Sequence, residues 1–209
     1  AIFQRGHKHM KLVITRPKHD IITRYISMWA EEIVCFAHTK KIDVIDLTDE
    51  KANRNDFEGR VNKLQPKVIF LNGHGCDDCI FGHDDKVLIK AGENHKFLQG
   101  KITYALSCSS GKKLGPEVVE DKNSTYIGYD NDFAFVSTHK YISRPGEDPV
   151  SKPFMESSNQ VMLSLLKGNT ARESSIKSKN KFMNDIRSMS SSLTDPDCLQ
   201  VGQCLWCGL

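Results

Sequence analysis

The sequence lacks long apolar runs, and this excludes one class of protein. No stretch of about 18 apolar residues occurs, so no transmembrane helix is expected. The N-terminus also lacks the apolar core that a secretory signal carries. The first nine residues, AIFQRGHKH, show no pattern, and an apolar segment opens at Met10. We therefore interpret residues 1–9 as a non-native leader ahead of a start at Met10.

The sequence also has little charge of one sign. The formal net charge is only +3, and the basic residues are interspersed with acidic ones. A nucleic-acid binder usually carries a basic block interleaved with aromatic residues, and no such block is present. We expect neither a nucleic acid nor a membrane as a partner. With 39% hydrophobic and 26% charged residues, the composition is that of an ordinary globular domain.

Cysteine is present in an odd number, without any secretion signal. The seven are Cys35, Cys76, Cys79, Cys108, Cys198, Cys204 and Cys207. This usage favours free thiols in a reducing cytoplasm over a disulfide framework. Two Cys-x-x-Cys pairs, 76/79 and 204/207, could hold zinc or act as a redox couple, although they lie too far apart for a zinc ribbon.

No metal site and no cofactor are predicted. The histidines other than His74 have no ligand spacing and are expected at the surface or in turns: His7, His9, His19, His38, His83, His95 and His139.

Strand and helix patterns alternate along the first 130 residues. Strands are predicted at 11–15, 42–47, 67–71, 102–106 and 125–129. Helices are predicted at 21–38, capped by Asp20, and after Asp56, then at 154–167 and 170–187 beyond an exposed loop at 143–153. This order predicts an α/β fold, a three-layer α/β/α sandwich with a mostly parallel central sheet. Residues 10–187 would form the domain, and 188–209 an irregular C-terminal extension.

Two predicted strands end in residues that can carry chemistry. KVIFL runs into Asn72-Gly73-His74-Gly75, and ITYAL runs into Ser107-Cys108-Ser109. Ligands bind at the carboxyl ends of strands in an open parallel sheet, and neighbouring strands lie about 5 Å apart. If these two strands are neighbours, we expect the imidazole of His74 and the thiol of Cys108 to face one cleft.

This pair has the chemistry of a nucleophile and its base. A free thiol is mostly protonated at neutral pH, and a nearby imidazole can take its proton. Gly75 has no side chain, so its amide can approach a developing oxyanion, with the Cys108 amide as second donor. A helix starting within GKKLG, behind Cys108, would lower the pKa of the thiol.

The two motifs resemble those of the caspase-like cysteine peptidases, which include caspases, metacaspases, separases, gingipains and bacterial CHAT-domain proteins. HGCDDCIFGHDD is similar to the segment in which His-Gly precedes a short hairpin, and ALSCSSGKKLG is similar to the nucleophile segment. PFMESSNQVMLSLLKGNTARESSIKSKNKFMNDI resembles the CHAT helix pair. His74 and Cys108 stand 34 residues apart, shorter than the roughly 50 of caspases, which favours the CHAT and gingipain side.

The resemblance implies a cysteine endopeptidase that acts through a thioester on a protein or peptide substrate, without a cofactor. It implies catalysis by His74 and Cys108, with Gly75 and Cys108 as oxyanion donors. It also implies a cytoplasmic, prokaryotic role in defence or signalling beside a regulatory sensor or partner protein.

One position departs from the pattern, because Leu106 stands where metacaspases and legumains have an acid. YIGYDNDF resembles the segment that binds a basic substrate side chain, which would give that role to Asp130 or Asp132.

Two alternatives stay open. The chain could be a non-catalytic binding module of the same fold. It could also be a zinc or redox protein that uses the Cys-x-x-Cys pairs.

Overall fold

The computed structural model describes residues 10–191, and a parallel sheet organises them. The strands are β1 Lys11–Arg16, β2 Asp43–Thr48, β3 Val68–Asn72, β4 Gly75–Cys76, β5 Cys79–Phe81, β6 Val87–Lys90, β7 Ile102–Leu106 and β8 Thr125–Ile127. Five of them lie in the order β2-β1-β3-β7-β8, and every neighbouring pair is parallel. A smaller antiparallel sheet, β4-β5-β6, is inserted between β3 and β7.

Helices cover both faces of the parallel sheet. They are α1 Ile21–Trp29, α2 Glu31–Thr39, α3 Arg54–Leu64, α4 Leu114–Val119, α5 Lys152–Leu166 and α6 Ala171–Ser191. Successive strand residues point to opposite faces, so Leu12 and Ile14 pack with α1, α2 and α5, while Val13 packs with α3 and α4. The predicted α/β class with a mostly parallel sheet is confirmed, and the layering agrees with a three-layer sandwich.

Two helix predictions need correction. The helix expected over 21–38 is two helices, α1 and α2, which meet at Ala30. The cap expected at Asp56 is Asn53, because the extended backbone at Asn53 directs its side chain to accept a hydrogen bond from the Asp56 amide at 2.9 Å. Asp56 therefore lies inside the first turn of α3.

The C-terminal half agrees with the sequence in outline. Helix α5 begins at Lys152, with Pro153 in its first turn, where a missing amide proton is tolerated. Helix α6 continues to Ser191, past the predicted end at 187. Residues 1–9 and the remaining predicted extension, with Cys198, Cys204 and Cys207, lie outside the described residues. None of the helices in the described range 10–191 is long and apolar enough to cross a membrane.

The expectation of free thiols is wrong for one pair of cysteines. Cys76 and Cys79 face each other across the tight β4–β5 turn, with Cα atoms 5.1 Å apart, and are joined by a disulfide. This spacing suits a disulfide, and it arises because the two residues are direct partners in the ladder. Cys35 and Cys108 are free.

Candidate active site

His74 and Cys108 follow two neighbouring strands of the parallel sheet. Strands β3 and β7 pair with Asn72 opposite Leu106, so His74 and Cys108 each come two residues beyond that last paired position. The Gly73 amide donates to the Leu106 carbonyl at 3.3 Å and continues the contact past the strands. The sequence thus placed both residues correctly at the carboxyl edge of the sheet.

The backbone of Gly75 lies directly against the backbone of Cys108. A Cβ atom at Gly75 would lie 2.5 Å from the Cys108 carbonyl oxygen and 3.1 Å from the Cys108 nitrogen. Real Cβ atoms do not come this close to backbone, so only glycine fits at position 75 without a shift of the chain. The His74-Gly75 peptide and the segment around Cys108 are therefore packed together.

The backbone amides of Cys108 and Gly75, which are expected to hold an oxyanion, have different surroundings. Among the described residues, no backbone hydrogen bond uses the Cys108 amide. The Phe81 amide donates to the His74 carbonyl at 2.9 Å, so Gly75 and Ile80 form the next, non-hydrogen-bonded pair of the antiparallel ladder. The Gly75 amide consequently points away from β5, as an oxyanion donor requires.

Asp20 is the site residue that sequence reasoning assigned only to a helix cap. It does cap α1, accepting from the Thr23 amide at 2.7 Å, and its other carboxylate oxygen lies 2.6 Å from His74 Nε2. Burial tends to raise the pKa of Asp20, but the hydrogen bonds from Thr23 and His74 outweigh burial and lower it. The available signal was that Asp20 follows β1, whose carboxyl end meets the same edge of the sheet.

The Asp20 carboxylate determines how His74 is protonated. An ionised carboxylate only accepts hydrogen bonds, so a neutral His74 ring donates from Nε2–H and keeps Nδ1 unprotonated. Nδ1 is then the nitrogen that can accept a proton. His74 is partly exposed, with 30% of its side chain open to solvent.

The thiol of Cys108 lies in a half-buried position beside an acid. Burial, followed by the negative charge of Asp132, raises the pKa of the thiol. Its Sγ atom lies 4.0 Å from the Phe133 carbonyl oxygen, and no hydrogen bond among the described residues links it to His74. A helix does begin within GKKLG, since α4 starts at Leu114, but the expected lowering is wrong because the pKa of the thiol is raised.

Hydrogen bonds connect the loop after Cys108 to the segment after β8. Ser109 has a φ of 53°, and its amide donates to the Asn131 carbonyl at 3.1 Å. Its hydroxyl donates to Asp132 at 3.1 Å, and the Gly111 amide donates to the Tyr129 carbonyl at 2.9 Å. These bonds hold Asp132 close to the thiol.

The two acids proposed for substrate binding lie in this same segment. Asp130 and Asp132 are exposed and line a pocket between it and helix α6. Asp130 also packs against Gly111. Lys179 of α6 lines the same pocket, so the pocket contains charges of both signs.

A second group of side chains surrounds the imidazole of His74. The His19 ring centroid lies 6.2 Å from that of His74 and 5.4 Å from that of His83, and His19 Nε2 lies 3.1 Å from Asp85. The expected positions of the histidines at the surface or in turns are observed, since His19 lies in the bend after β1 and His83 and His95 lie in short 3₁₀ turns. His38 and His139 are exposed, His19 and His83 are partly buried, His95 is buried, and His7 and His9 lie outside the described residues.

Comparison with family models and with curated proteins finds no relative. A scan against models of protein families finds no match. A search of curated proteins finds no similar sequence either.

Proposed function

We propose that the chain is a caspase-like cysteine endopeptidase with Cys108 as nucleophile and His74 as general base and acid. The observation that carries the proposal is the close packing of Gly75 against the Cys108 backbone. It brings the nucleophile, the imidazole-bearing peptide and two candidate oxyanion donors to one point at the edge of the sheet. Such convergence is what covalent acyl transfer requires.

The reaction proceeds in two steps. Cys108 Sγ loses its proton to His74 Nδ1 and forms a bond to the carbonyl carbon of the substrate, with the negative oxygen held by the Gly75 and Cys108 amides. The C–N bond then breaks, and the amine leaves with the proton from His74. Water attacks the resulting thioester, gives a proton to His74, and the acid product leaves as the proton returns to Sγ.

We propose a basic residue in the substrate at the position before the cleaved bond. Asp132 hydrogen-bonds Ser109, next to the nucleophile, and Asp130 lines the adjoining pocket. A Lys or Arg side chain could form charge-assisted hydrogen bonds with either acid. Lys179 opposes this preference, so removal of its charge should strengthen the selection of basic substrates.

One observation favours a second candidate, a binding module of the same fold without catalysis. The pKa of the Cys108 thiol is raised, and its Sγ has no hydrogen bond to His74 among the described residues. A resting thiol of this kind is a poor nucleophile unless substrate binding brings the imidazole to it.

Labelling of Cys35 and Cys108, the two thiols that are free within residues 10–191, separates the candidates. The protein is treated with peptides that carry an electrophilic carbonyl group after Lys, Arg or Asp, and adducts are located by mass spectrometry of digests. If the chain is a peptidase, we expect Cys108 to be labelled faster than the exposed Cys35, and this faster labelling to be lost in His74→Ala. We also expect fluorogenic peptides with Lys or Arg to be cleaved and those with Asp not to be cleaved. Equal labelling of both cysteines, with no cleavage, would favour the binding module.

Two variants serve as controls in the cleavage assay. Cys108→Ala should remove all activity, whereas Cys35→Ala should leave it unchanged, because Cys35 lies on the exposed side of α2. Equal cleavage of basic and acidic peptides by the wild-type protein would refute the role of Asp130 and Asp132 while leaving the catalytic assignment in place.

A further inference from the structure

We propose that four side chains around His74 form a binding site for one zinc ion, and that the bound ion inhibits the peptidase. The ligands are His19, Asp20, His74 and Asp85, each offering one nitrogen or oxygen atom, and all four atoms lie within 4.8 Å of one another. The inhibitory consequence rests on the proposed function, whereas metal binding does not.

The spacing of the four atoms suits a tetrahedral ion. Zinc binds histidine nitrogen and carboxylate oxygen at about 2.0–2.2 Å, which sets neighbouring ligand atoms about 3.3 Å apart. His74 Nε2 and Asp20 Oδ2 are 2.6 Å apart, and His19 Nε2 lies 3.7 Å from the same oxygen. His19 Nε2 and Asp85 Oδ1 are 3.1 Å apart. Small side-chain rotations would bring these distances to the tetrahedral value.

The charges of the cluster call for a cation. Among the described residues, Asp20 and Asp85 form ion pairs only with histidines and none with lysine or arginine. Two carboxylates that converge in this way repel each other, and a divalent ion would neutralise both. Two imidazoles with two carboxylates favour zinc over magnesium or calcium, which prefer oxygen ligands alone.

The fold brings the ligands from three separate segments. His19 and Asp20 follow β1, His74 follows β3, and Asp85 comes from the turn before β6. His19 is the most enclosed, with 11% of its side chain exposed, while Asp85 is 62% exposed. An ion could therefore enter from the Asp85 side without a change of fold.

Zinc on His74 would block its role as a base. A metal bound at Nε2 uses the lone pair of that nitrogen and leaves the proton of the neutral ring on Nδ1. Nδ1 can then no longer accept the proton of Cys108. The ion would also take Asp20, the partner of the imidazole, as a ligand.

Titration with cobalt(II), which adopts the same coordination, tests the site independently of activity. The full-length protein is freed of metal with its disulfide intact, and visible absorption is followed. We expect saturation at one ion per chain, tetrahedral bands without a thiolate charge-transfer band, and displacement by zinc. His19→Ala and Asp85→Asn should each weaken binding at least 10-fold, and Asp85 is exposed enough for its variant to fold. Neighbouring controls, His83→Ala and Asp84→Asn, should bind as the wild type does.

Three results would overturn the metal site. The first is that cobalt(II) shows no saturable binding. The second is a thiolate charge-transfer band, which would show that cysteines are the ligands. The third is that His19→Ala or Asp85→Asn binds cobalt(II) with the same affinity as the wild type.

Inhibition is measured afterwards as the activity of each variant with zinc relative to its own metal-free activity. We expect the zinc concentration for half inhibition to rise at least 10-fold in Asp85→Asn and to stay unchanged in Asp84→Asn. Tight binding with full activity would overturn the inhibitory role. Metal binding by a protein that has no peptidase activity even when metal-free would refute the proposed function instead, and leave the metal site standing.

Discussion

Nε2 of His74 lies 2.6 Å from a carboxylate oxygen of Asp20, a residue that is 54 positions earlier in the chain. The same carboxylate caps helix α1 through the Thr23 amide. In the proposed peptidase, a structural role and a positioning role therefore meet in this one side chain. Asparagine can separate them, because it caps helices about as well as aspartate but carries no charge.

Asp20→Asn should reduce peptidase activity on the order of 10²-fold while leaving stability almost unchanged. An amide can offer its N–H to Nε2 and so stabilise the wrong imidazole tautomer, and it lacks the charge that supports the imidazolium. The activity is measured as kcat/KM over a range of pH, and the stability by chemical denaturation. Asp20→Ala, which loses the cap as well, should also cost about 1 kcal/mol of stability. An unchanged pH profile and rate in Asp20→Asn would contradict the positioning role.

Gly75→Ala should lower activity at least 10-fold through a displacement of the nucleophile segment. The new methyl group would lie 2.5 Å from the Cys108 carbonyl oxygen, so the chain at Gly75 or at Cys108 must move. The reacting geometry of an acyl transfer tolerates little displacement. Fluorogenic cleavage and labelling of Cys108 provide the measurements.

Gly59→Ala is the matched control for this substitution. Gly59 lies inside α3 on an exposed face, with no atom within 4 Å of an added Cβ. Alanine is the better helix former, so the variant should be more stable by about 0.5–1 kcal/mol and fully active. Activity loss of similar size in both variants would indicate a general effect rather than a local one at Cys108.

Asp132→Asn should make the Cys108 thiol more reactive at neutral pH. Burial is the main cause of its raised pKa, and the negative charge of Asp132 raises it further. Without that charge the pKa falls, and a larger fraction of thiolate is present at any pH below it. The measurement is the rate of iodoacetamide alkylation at Cys108 against pH, quantified by peptide mapping.

Asp130→Asn is the control for this effect, since Asp130 does not contribute to the raised pKa of the thiol. Its alkylation profile should superimpose on that of the wild type. If the alkylation rate of Asp132→Asn reaches its midpoint at the same pH as that of the wild type, or at a higher pH, the proposed influence of Asp132 is disproved.

Tyr25→Phe should destabilise the fold by about 1–3 kcal/mol. Tyr25 is fully buried, and its hydroxyl donates at 2.9 Å to Asp148, which is fully buried as well. The Asp148 carboxylate would lose one of its partners and keep the Thr138 and Val150 amides. The free energy of unfolding is read from urea denaturation. Tyr141→Phe should change it by less than about 0.5 kcal/mol, and equal effects of the two variants would contradict this account.

The sequence located the central strands and the polar segments at their ends for a simple reason. Buried parallel strands are continuous apolar runs, and each run here stops at a polar or glycine-bearing segment, as at His74 and Cys108. The predicted helix boundaries were less accurate. The break between α1 and α2 at Ala30 has no glycine or proline to mark it, and both Asn53 and Asp56 are residue types that cap helices, so the sequence did not distinguish them. The disulfide between Cys76 and Cys79 depended on ladder register, which composition does not encode.

By itself, the sequence determined the α/β class, the strands of the parallel sheet and the two polar segments that follow β3 and β7, since these follow from local patterning and from chain order. Only the tertiary structure decided which residues surround that pair. Asp20 and His19 reach His74 because β1 pairs with β3, and Asp132 reaches Cys108 because the segment after β8 folds back onto the loop that follows Cys108. Such contacts join residues far apart in the chain, and no local pattern along the sequence specifies them.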